Sequence, residues 1–316
     1  MDVFNELIKL QTTYPNCVAT IGKYDGMHRG HQLILNTLKQ RAAELELPSL
    51  VILSEPQPEE FFNAAQAPAR LLSFTDKVYF LQKQGIDMVY KMSFDKALSE
   101  LSAEAFVENV LHEGLGVKAL VIGDDFRFGK NRAGDFSLLQ KMGMELGFSV
   151  EATPSCVIDG QRVSSTLLRE KLQAGDCDAV EQLLGRPYQL RGEVVKGQQL
   201  GRQLGFPTAN IAVAMERLAI EGIFVASAEF EGRSIPGVAS VGYKPSIAGR
   251  HGLAVEIFLL DFNENLYGKI LTISFLKKIR QQEKFTDLDV LKTRMQEDLD
   301  IALDYFNREA ELAKHP

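Results

Sequence analysis

The first part of the chain alternates short apolar runs with amphipathic stretches, which is the rhythm of βαβ units on a parallel sheet. Residues Cys17 to Ile21 read as a buried strand. Over 32–46, Leu33, Ile34, Leu38, Ala42 and Leu45 recur at helical spacing, so that strand feeds a helix through the loop between them. The runs 50–53, 88–90 and 119–122 predict further strands. Ser73 with Asp76 resembles a capping box for a helix that Gly85 closes, and Ser102 caps another that runs to about Glu113. Right-handed crossovers put helices on both faces of such a sheet and ligands beyond the carboxyl ends of its strands.

After Asp176 the texture changes. A helix over 179–184 ends at Gly185-Arg186-Pro187, a good linker. Beyond it, 188–195, 222–229, 237–241, 254–262 and 269–275 are short, β-rich and separated by turn residues with no helix between them, which predicts an antiparallel barrel or sandwich. Leu288, Leu291, Met295, Leu299, Ala302, Leu303 and Phe306 form an apolar stripe over 287–313, expected to be a long helix on the barrel with Asp287 as its cap. The chain has 316 residues, and single cores stop growing at roughly 250–300. The expected fold class is α/β plus β: a doubly wound parallel-sheet domain over 1–185 and an antiparallel β-barrel domain with a terminal helix over 186–316.

Charge and cysteine content narrow the function. Forty-two acidic and 35 basic residues leave a net charge of −7 with no local basic patch, so no nucleic-acid partner is expected. No apolar window approaches the roughly 18 residues of a membrane span, and the start, Met1 to Glu6, is acidic where a secretory signal is basic. A cytoplasmic protein without membrane attachment is therefore expected. Cys17, Cys156 and Cys177 are odd in number and show no CxxC spacing, so they read as free thiols.

Four segments carry candidate chemistry. Gly22-Lys23-Tyr24-Asp25-Gly26-Met27-His28-Arg29-Gly30-His31 joins the first buried strand to its helix, where backbone N–H groups and the helix dipole favour an anion. Its glycines allow close approach, and His28 and His31 can stabilise charge developing at an α-phosphate. As metal ligands the two histidines lack the cluster that would complete a set. In Val163-Ser164-Ser165-Thr166-Leu167-Leu168-Arg169, hydroxyls and a cation at a helix start suit a triphosphate. Gly197, Gly201 and Gly205, with Arg202 among them, lead to Thr208 and Asn210; glycines can fold amides over phosphates, and a hydroxyl and an amide oxygen suit magnesium. Glu256 is a carboxylate in an otherwise apolar strand, either buried for a reason or facing outward by alternation.

Taken in order, these motifs resemble the bacterial bifunctional riboflavin kinase/FMN adenylyltransferases, from about Val18 to Phe306. The HxGH segment, 122–129 with Asp125, the following Gly134-Asp135 and the SSTxxR element match the adenylyltransferase half; the glycine-rich flap, the PTAN run and the strand of Glu256 match the kinase half. Glu55-Pro56-Gln57-Pro58 resembles the family's PHP element near the flavin phosphate, with Gln57 where histidine is usual; an amide can donate a hydrogen bond but brings no charge. Tyr24 replaces a commoner Phe, Lys23 a small or amide residue, and Ser240 and Ser246 the usual Asn and Thr.

The resemblance implies an enzyme that phosphorylates riboflavin to FMN in the second domain and adenylylates FMN to FAD in the first, using ATP and Mg²⁺ for both. It implies Glu256 as general base, Thr208 and Asn210 as Mg²⁺–ATP residues, and His28 and His31 as stabilisers of adenylyl transfer. Gly22, Asp25, Gly26, Gly30, Asp125, Ser164, Ser165, Thr166 and Arg169 would serve ATP in the first domain, and Gly197, Gly201, Arg202 and Gly205 in the second. Pro56, Gln57, Pro58, Arg70 and Arg280 would face flavin. Three other readings remain at this point: a kinase whose adenylyltransferase half is weakened or redirected, a flavin- or nucleotide-binding regulator without turnover, and adenylyl transfer to a small phosphorylated acceptor other than FMN, against which the kinase-like second domain counts.

Overall fold

The computed structural model describes residues 1–197, 201, 204–245 and 251–312. They divide into two compact units, Met1–Pro68 with Phe74–Ser164, and Ala69–Ser73 with the chain from Ser165 onward.

The first unit is built on six strands, β1 (Asp2–Phe4), β2 (Cys17–Ile21), β3 (Ser49–Glu55), β4 (Met88–Ser93), β5 (Val117–Gly123) and β6 (Ser149–Thr153). All pair in parallel, in the order β1-β4-β3-β2-β5-β6. The chain moves outward from β2 through β3 and β4, then returns to lay β5 and β6 on the other side. The order therefore reverses at the seam between β2 and β5, where open α/β sheets place their ligands. Cys17, Val18, Ala19 and Thr20 are all buried, as a central parallel strand covered on both faces requires.

Around the sheet run α1 (Leu7–Thr13), α2 (Arg29–Glu44), α3 (Pro58–Asn63), α4 (Phe74–Lys83), α5 (Lys96–Glu100), α6 (Ala103–Ala105) and α7 (Phe136–Leu146). Ser102 caps α6, its hydroxyl accepting from Ala105 N–H at 3.1 Å, and the chain continues as a π-helix over Phe106–Gly114. Asp135 caps α7 by accepting from Leu138 N–H at 3.0 Å, and Gly147 ends it in the left-handed region. A short hairpin, β7 (Val157–Ile158) and β8 (Gln161–Arg162), turns through Asp159 and Gly160, both at positive φ.

The second unit opens with α8 (Ser165–Ala174) and α9 (Cys177–Leu184). Strands β9 (Tyr188–Val195), β10 (Thr208–Ala212), β11 (Gly222–Phe230), β12 (Arg233–Pro245), β13 (His251–Leu259) and β14 (Ile270–Arg280) then close into an antiparallel barrel, in the order β10-β13-β12-β11-β14-β9. Pairing of β9 with β10 completes the ring, so the choice between barrel and sandwich falls to the barrel. Its interior is filled by side chains such as Leu190, Val225, Ala239, Ile257 and Ile273. The 237–241 run proves to be part of a much longer β12, because Gly237, Ser240 and Gly242 interrupt the apolar pattern without interrupting the ladder.

The last helix, α10 (Leu288–Leu312), starts where Asp287 accepts from Asp289 N–H at 2.8 Å. It packs on β11 and β12. Ala302 is buried there, whereas Leu288 and Leu303 of the expected stripe are exposed. The helix is fastened through Asp298, which receives two 2.8 Å bonds from Arg280 of β14. Among the described residues, no helix is long and apolar enough to cross a membrane.

Candidate active sites

In the first unit, the loop leaving β2 turns through Tyr24, Gly26 and Met27, all at positive φ. That concentration of strain is typical of ligand-clamping loops. The turn buries Tyr24, Asp25 and His28. Tyr24 shares a 2.7 Å hydrogen bond with Thr20 inside the strand; burial raises its pKa, against the lowering effect of that bond, and the phenol stays protonated. His28 is the N-cap of α2, its Nδ1 accepting from His31 N–H at 3.3 Å. The two imidazoles stack with centroids 3.7 Å apart, and Tyr24 lies 4.9 Å from the His31 ring. A Cβ on Gly30 would come within 3.2 Å of the His28 ring, so only glycine leaves that ring where it is.

The hydrogen bond fixes the chemistry of His28. With Nδ1 accepting, a neutral ring carries its proton on Nε2 and can donate it to an oxyanion. Burial lowers the His28 pKa to about 4, with the charge of Arg162 acting in the same direction. Burial also lowers His31, helped by the charges of His28, Lys77 and Lys23. Both rings are thus neutral at pH 7.

These shifts make stability depend on acid. An unfolded histidine titrates near 6.5, so between pH 6.5 and 4 the unfolded chain binds the proton that folded His28 refuses. Stability is complete above 6.5 and falls as the pH drops through that window, by about 3 kcal/mol for His28 alone. Urea unfolding of the wild type and of His28→Asn at pH 7 and pH 4.5 checks this. The wild type should lose more on acidification, and equal losses would refute the assignment.

Two neighbouring loops flank the histidine turn. After β5, Asp125 is exposed and takes a 2.7 Å ion pair from Arg162 of β8, while Asp124 accepts from Ser155 N–H and hydroxyl at 2.8–3.1 Å. Arg162 therefore pairs with Asp125 while its charge also acts on His28. Sequence reading missed this cation, since nothing local ties β8 to a loop 37 positions earlier. After β3, the peptide Glu55-Pro56 is cis and Pro56-Gln57-Pro58 leads into α3. Gln57 is buried, its backbone N–H donating to Glu60 at 2.9 Å, and Lys23 of the histidine loop is ion-paired with Glu59. Loops from three adjacent strands, β2, β3 and β5, thus converge.

The SSTxxR element is divided between the units. Ser164 ends the first, half-buried, whereas Ser165, Thr166 and Arg169 belong to α8 of the second. There Arg169 Nε donates to the Ala69 carbonyl at 2.7 Å, next to Arg70.

In the second unit the barrel ladder builds the other site. Asn210 on β10 lies directly opposite Glu256 on β13, and Thr208 lies opposite Phe258. Directly opposed residues share a face with Cβ atoms roughly 5 Å apart, so Thr208, Asn210 and Glu256 present their oxygens on one side. Ser240 of β12 faces Glu256 from the opposite flank and accepts from Gln282 at 2.8 Å. Val255 and Ile257 on either side of Glu256 are buried. The carboxylate therefore stands half-buried on the outer face, and burial is not what singles it out.

The glycine run closes over the same residues. A Cβ on Gly197 would strike the Asn210 amide at 2.3–2.5 Å, one on Gly201 would come within 3.4 Å of Thr208 Oγ1, and Gly205 sits at φ 90°. Arg202 and Ser246 lie outside the described residues. A cleft of about 750 Å³ opens alongside, lined by Lys196, Asn210, Met215, Glu216, Arg217 and Leu253. That is ample for a nucleotide-sized ligand. Arg280 makes two bonds of 2.8 Å to Asp298, and its guanidinium lies over Phe285. It anchors α10.

Comparison with known proteins finds one family for each half of the chain. A family model described as FAD synthetase matches residues 10–167, and one described as riboflavin kinase matches 184–306. The bifunctional riboflavin kinase/FMN adenylyltransferase of Pseudomonas fluorescens is 45% identical over 299 residues, covering 95% of this chain and 96% of its own. That of Haemophilus influenzae is 41% identical over 308 residues, covering 97% and 100%. Among solved structures, a Streptococcus pneumoniae chain named as a macrolide-efflux protein superposes with a TM-score of 0.78 at 25% identity, covering 95% of this chain and 98% of that one. From the histidine turn, the barrel face and relatives that span nearly its whole length, the chain belongs to the bifunctional riboflavin kinase/FMN adenylyltransferase family.

Proposed function

We propose that the chain carries out both reactions of its family, making FMN from riboflavin and ATP on the barrel and FAD from FMN and ATP on the parallel-sheet unit. The observation that carries this reading is the joint presence, in one chain, of stacked neutral histidines at the switch point of the sheet and of Glu256 opposed to Asn210 in the barrel ladder.

For phosphorylation, Glu256 accepts the proton of the ribityl 5′-hydroxyl as that oxygen bonds to the γ-phosphorus and ADP leaves. The hydroxyl of Thr208 and the amide oxygen of Asn210 form the oxygen set that a hard cation prefers, and they would hold Mg²⁺. When bound, that ion neutralises charge on the transferring phosphate. Gly197 leaves room beside the Asn210 amide that any larger residue would fill, and a Cβ on Gly201 would strike the Phe206 carbonyl oxygen at 2.4 Å.

For adenylylation, a phosphate oxygen of FMN bonds to the α-phosphorus of ATP while the bond to the bridging oxygen of pyrophosphate breaks. The attacking oxygen is already ionised, so the site needs orientation and charge stabilisation rather than a base. His28 Nε2–H supplies a donor, held by the bond from His31 N–H to Nδ1. Asp25, Gly26, Gly30, Asp125 and Ser164 are assigned to ATP in this unit. The partners in this reading are small molecules, without nucleic acid or membrane, and the setting is the cytoplasm.

Incubation with riboflavin, ATP and Mg²⁺, with the flavins separated over time, tests the reading. FMN should rise and give way to FAD. FMN accumulating without FAD, even when FMN is supplied, would overturn the second activity, and no product at all would overturn both.

A further inference from the structure

The segment that leaves β14 returns to the barrel face of Glu256, and the phosphotransfer chemistry above makes no use of it. Arg280 ends the strand with its guanidinium on Asp298, and its Nη1 also donates to the Gln281 carbonyl at 3.1 Å. The chain is thereby fixed just before Gln282. From there the Gln282 side chain reaches β12, 42 positions back in sequence, where its Nε2 donates to Ser240 Oγ at 2.8 Å. A Cβ on Gly242 would strike the Gln282 amide, so that glycine is the seat on which the amide lies. Ala239 and Val241 are buried in the barrel, which turns Ser240 and Gly242 to its outer face. Across the ladder, Glu256 lies directly opposite Ser240, and Ala254 opposite Gly242.

The direction of the Gln282 bond decides what Ser240 can do. An amide nitrogen only donates, whereas a hydroxyl has one hydrogen and two lone pairs. With one lone pair taken by Gln282, the Ser240 hydrogen points away from the amide and is left to donate elsewhere. The acceptor on the same rung and the same face is the Glu256 carboxylate, at the Cβ separation of roughly 5 Å that directly opposed residues have. Hydrogen bonds to an ionised oxygen are the stronger kind, and one made from the flank restricts the orientation of the carboxylate. A base must meet the proton it takes at hydrogen-bond distance, so holding one of its oxygens also aims the other.

We infer that Gln282 and Ser240 form a positioning relay for phosphoryl transfer: Gln282, seated on Gly242, holds the Ser240 hydroxyl so that its hydrogen binds one oxygen of Glu256, and the other oxygen is aimed at the ribityl 5′-hydroxyl whose proton it takes. The inference rests on the reading of Glu256 as general base and deepens it. The barrel ladder fixes where the carboxylate stands, and the relay fixes which way it points. Both residues act through Glu256, so they govern the rate of the transfer and not the binding of either substrate.

The test measures riboflavin phosphorylation in the full-length protein, with kcat and KM read separately. Gln282→Leu should lower kcat about tenfold, the loss of one bond to a charged group, and leave KM for riboflavin and for ATP within about twofold of the wild type. Ser240→Ala should do the same, and the double variant should lose no more than either single one, as members of one relay do. Ser240→Ala leaves the backbone and the core untouched, which keeps the test readable if Gln282→Leu disturbs its own segment. Gln282→Glu separates orientation from packing. Its carboxylate keeps the size and the bond to Ser240 but can only accept, so the serine hydrogen turns to it and away from Glu256. It should therefore match Gln282→Leu in kcat, whereas a merely structural contact would survive the change. Unchanged kcat in Ser240→Ala or in Gln282→Glu would overturn the inference, as would losses that multiply in the double variant. If the wild type makes no FMN, or Glu256→Gln phosphorylates riboflavin as fast as the wild type, the parent reading fails; if Glu256→Gln is slow while the relay variants keep the wild-type kcat, only this inference fails.

Discussion

Glu256→Gln should cut riboflavin phosphorylation by about 10²–10⁴-fold, the usual worth of a positioned general base, while FAD formation from supplied FMN continues. The substitution keeps shape and volume and removes only the ability to take a proton. It falls on a strand whose two ladder partners, β10 and β12, are fixed by backbone bonds on both sides. Glu256 is half-buried, so the amide pays no large desolvation cost. Rates measured by single-turnover chromatography with each flavin separate the two reactions. Undiminished riboflavin phosphorylation would remove Glu256 from the mechanism, and equal loss of both activities would point to misfolding instead.

The second large effect is expected at His28. His28→Ala should lower FAD formation by about 10²–10³-fold, as loss of one preorganised oxyanion donor does, with FMN formation from riboflavin retained. Alanine also removes the cap of α2, worth about 1 kcal/mol. His28→Asn controls for this: asparagine can cap the helix and accept from His31 N–H, but it cannot set a donor where Nε2–H stands. Both variants should therefore lose FAD formation alike. Recovery of the rate in His28→Asn would show that His28 serves the helix and not the reaction.

Much of this was legible in the sequence because the informative signals are local. The apolar run of Cys17 to Thr20 marks the central strand, and the HxGH spacing places two imidazoles one turn apart at a helix start, where they stack. Strand β6 escaped because it is an edge strand whose Ser149, Val150 and Glu151 carry no apolar run. Strand β10 escaped because a motif rich in turn residues, Pro207-Thr208-Ala209-Asn210, also serves as a ladder. Burial of Glu256 was the wrong reason to notice it, since alternation in β13 turns it outward. Long-range pairings leave no local trace: the salt bridges of Arg162 with Asp125 and of Arg280 with Asp298 join residues whose neighbours in sequence say nothing of one another. The second of these shows Arg280 fastening the terminal helix, a role its sequence neighbours do not announce.

The closed barrel also governs how this enzyme can change over evolutionary time. Asn210, Glu256 and Ser240 lie directly opposite one another on three neighbouring strands of the barrel, so their spacing is inherited from the strand separation of about 4.8 Å and not from any side chain. Substitutions around the carboxylate, such as the serine at 240, can accumulate without displacing it. Insertions and deletions are another matter: with a side-chain period of two, one residue gained or lost within β13 exchanges the positions of Glu256 and Ile257. The kinase face should therefore diverge in residue identity while its strands hold constant length, so that insertions are expected in the segments between strands.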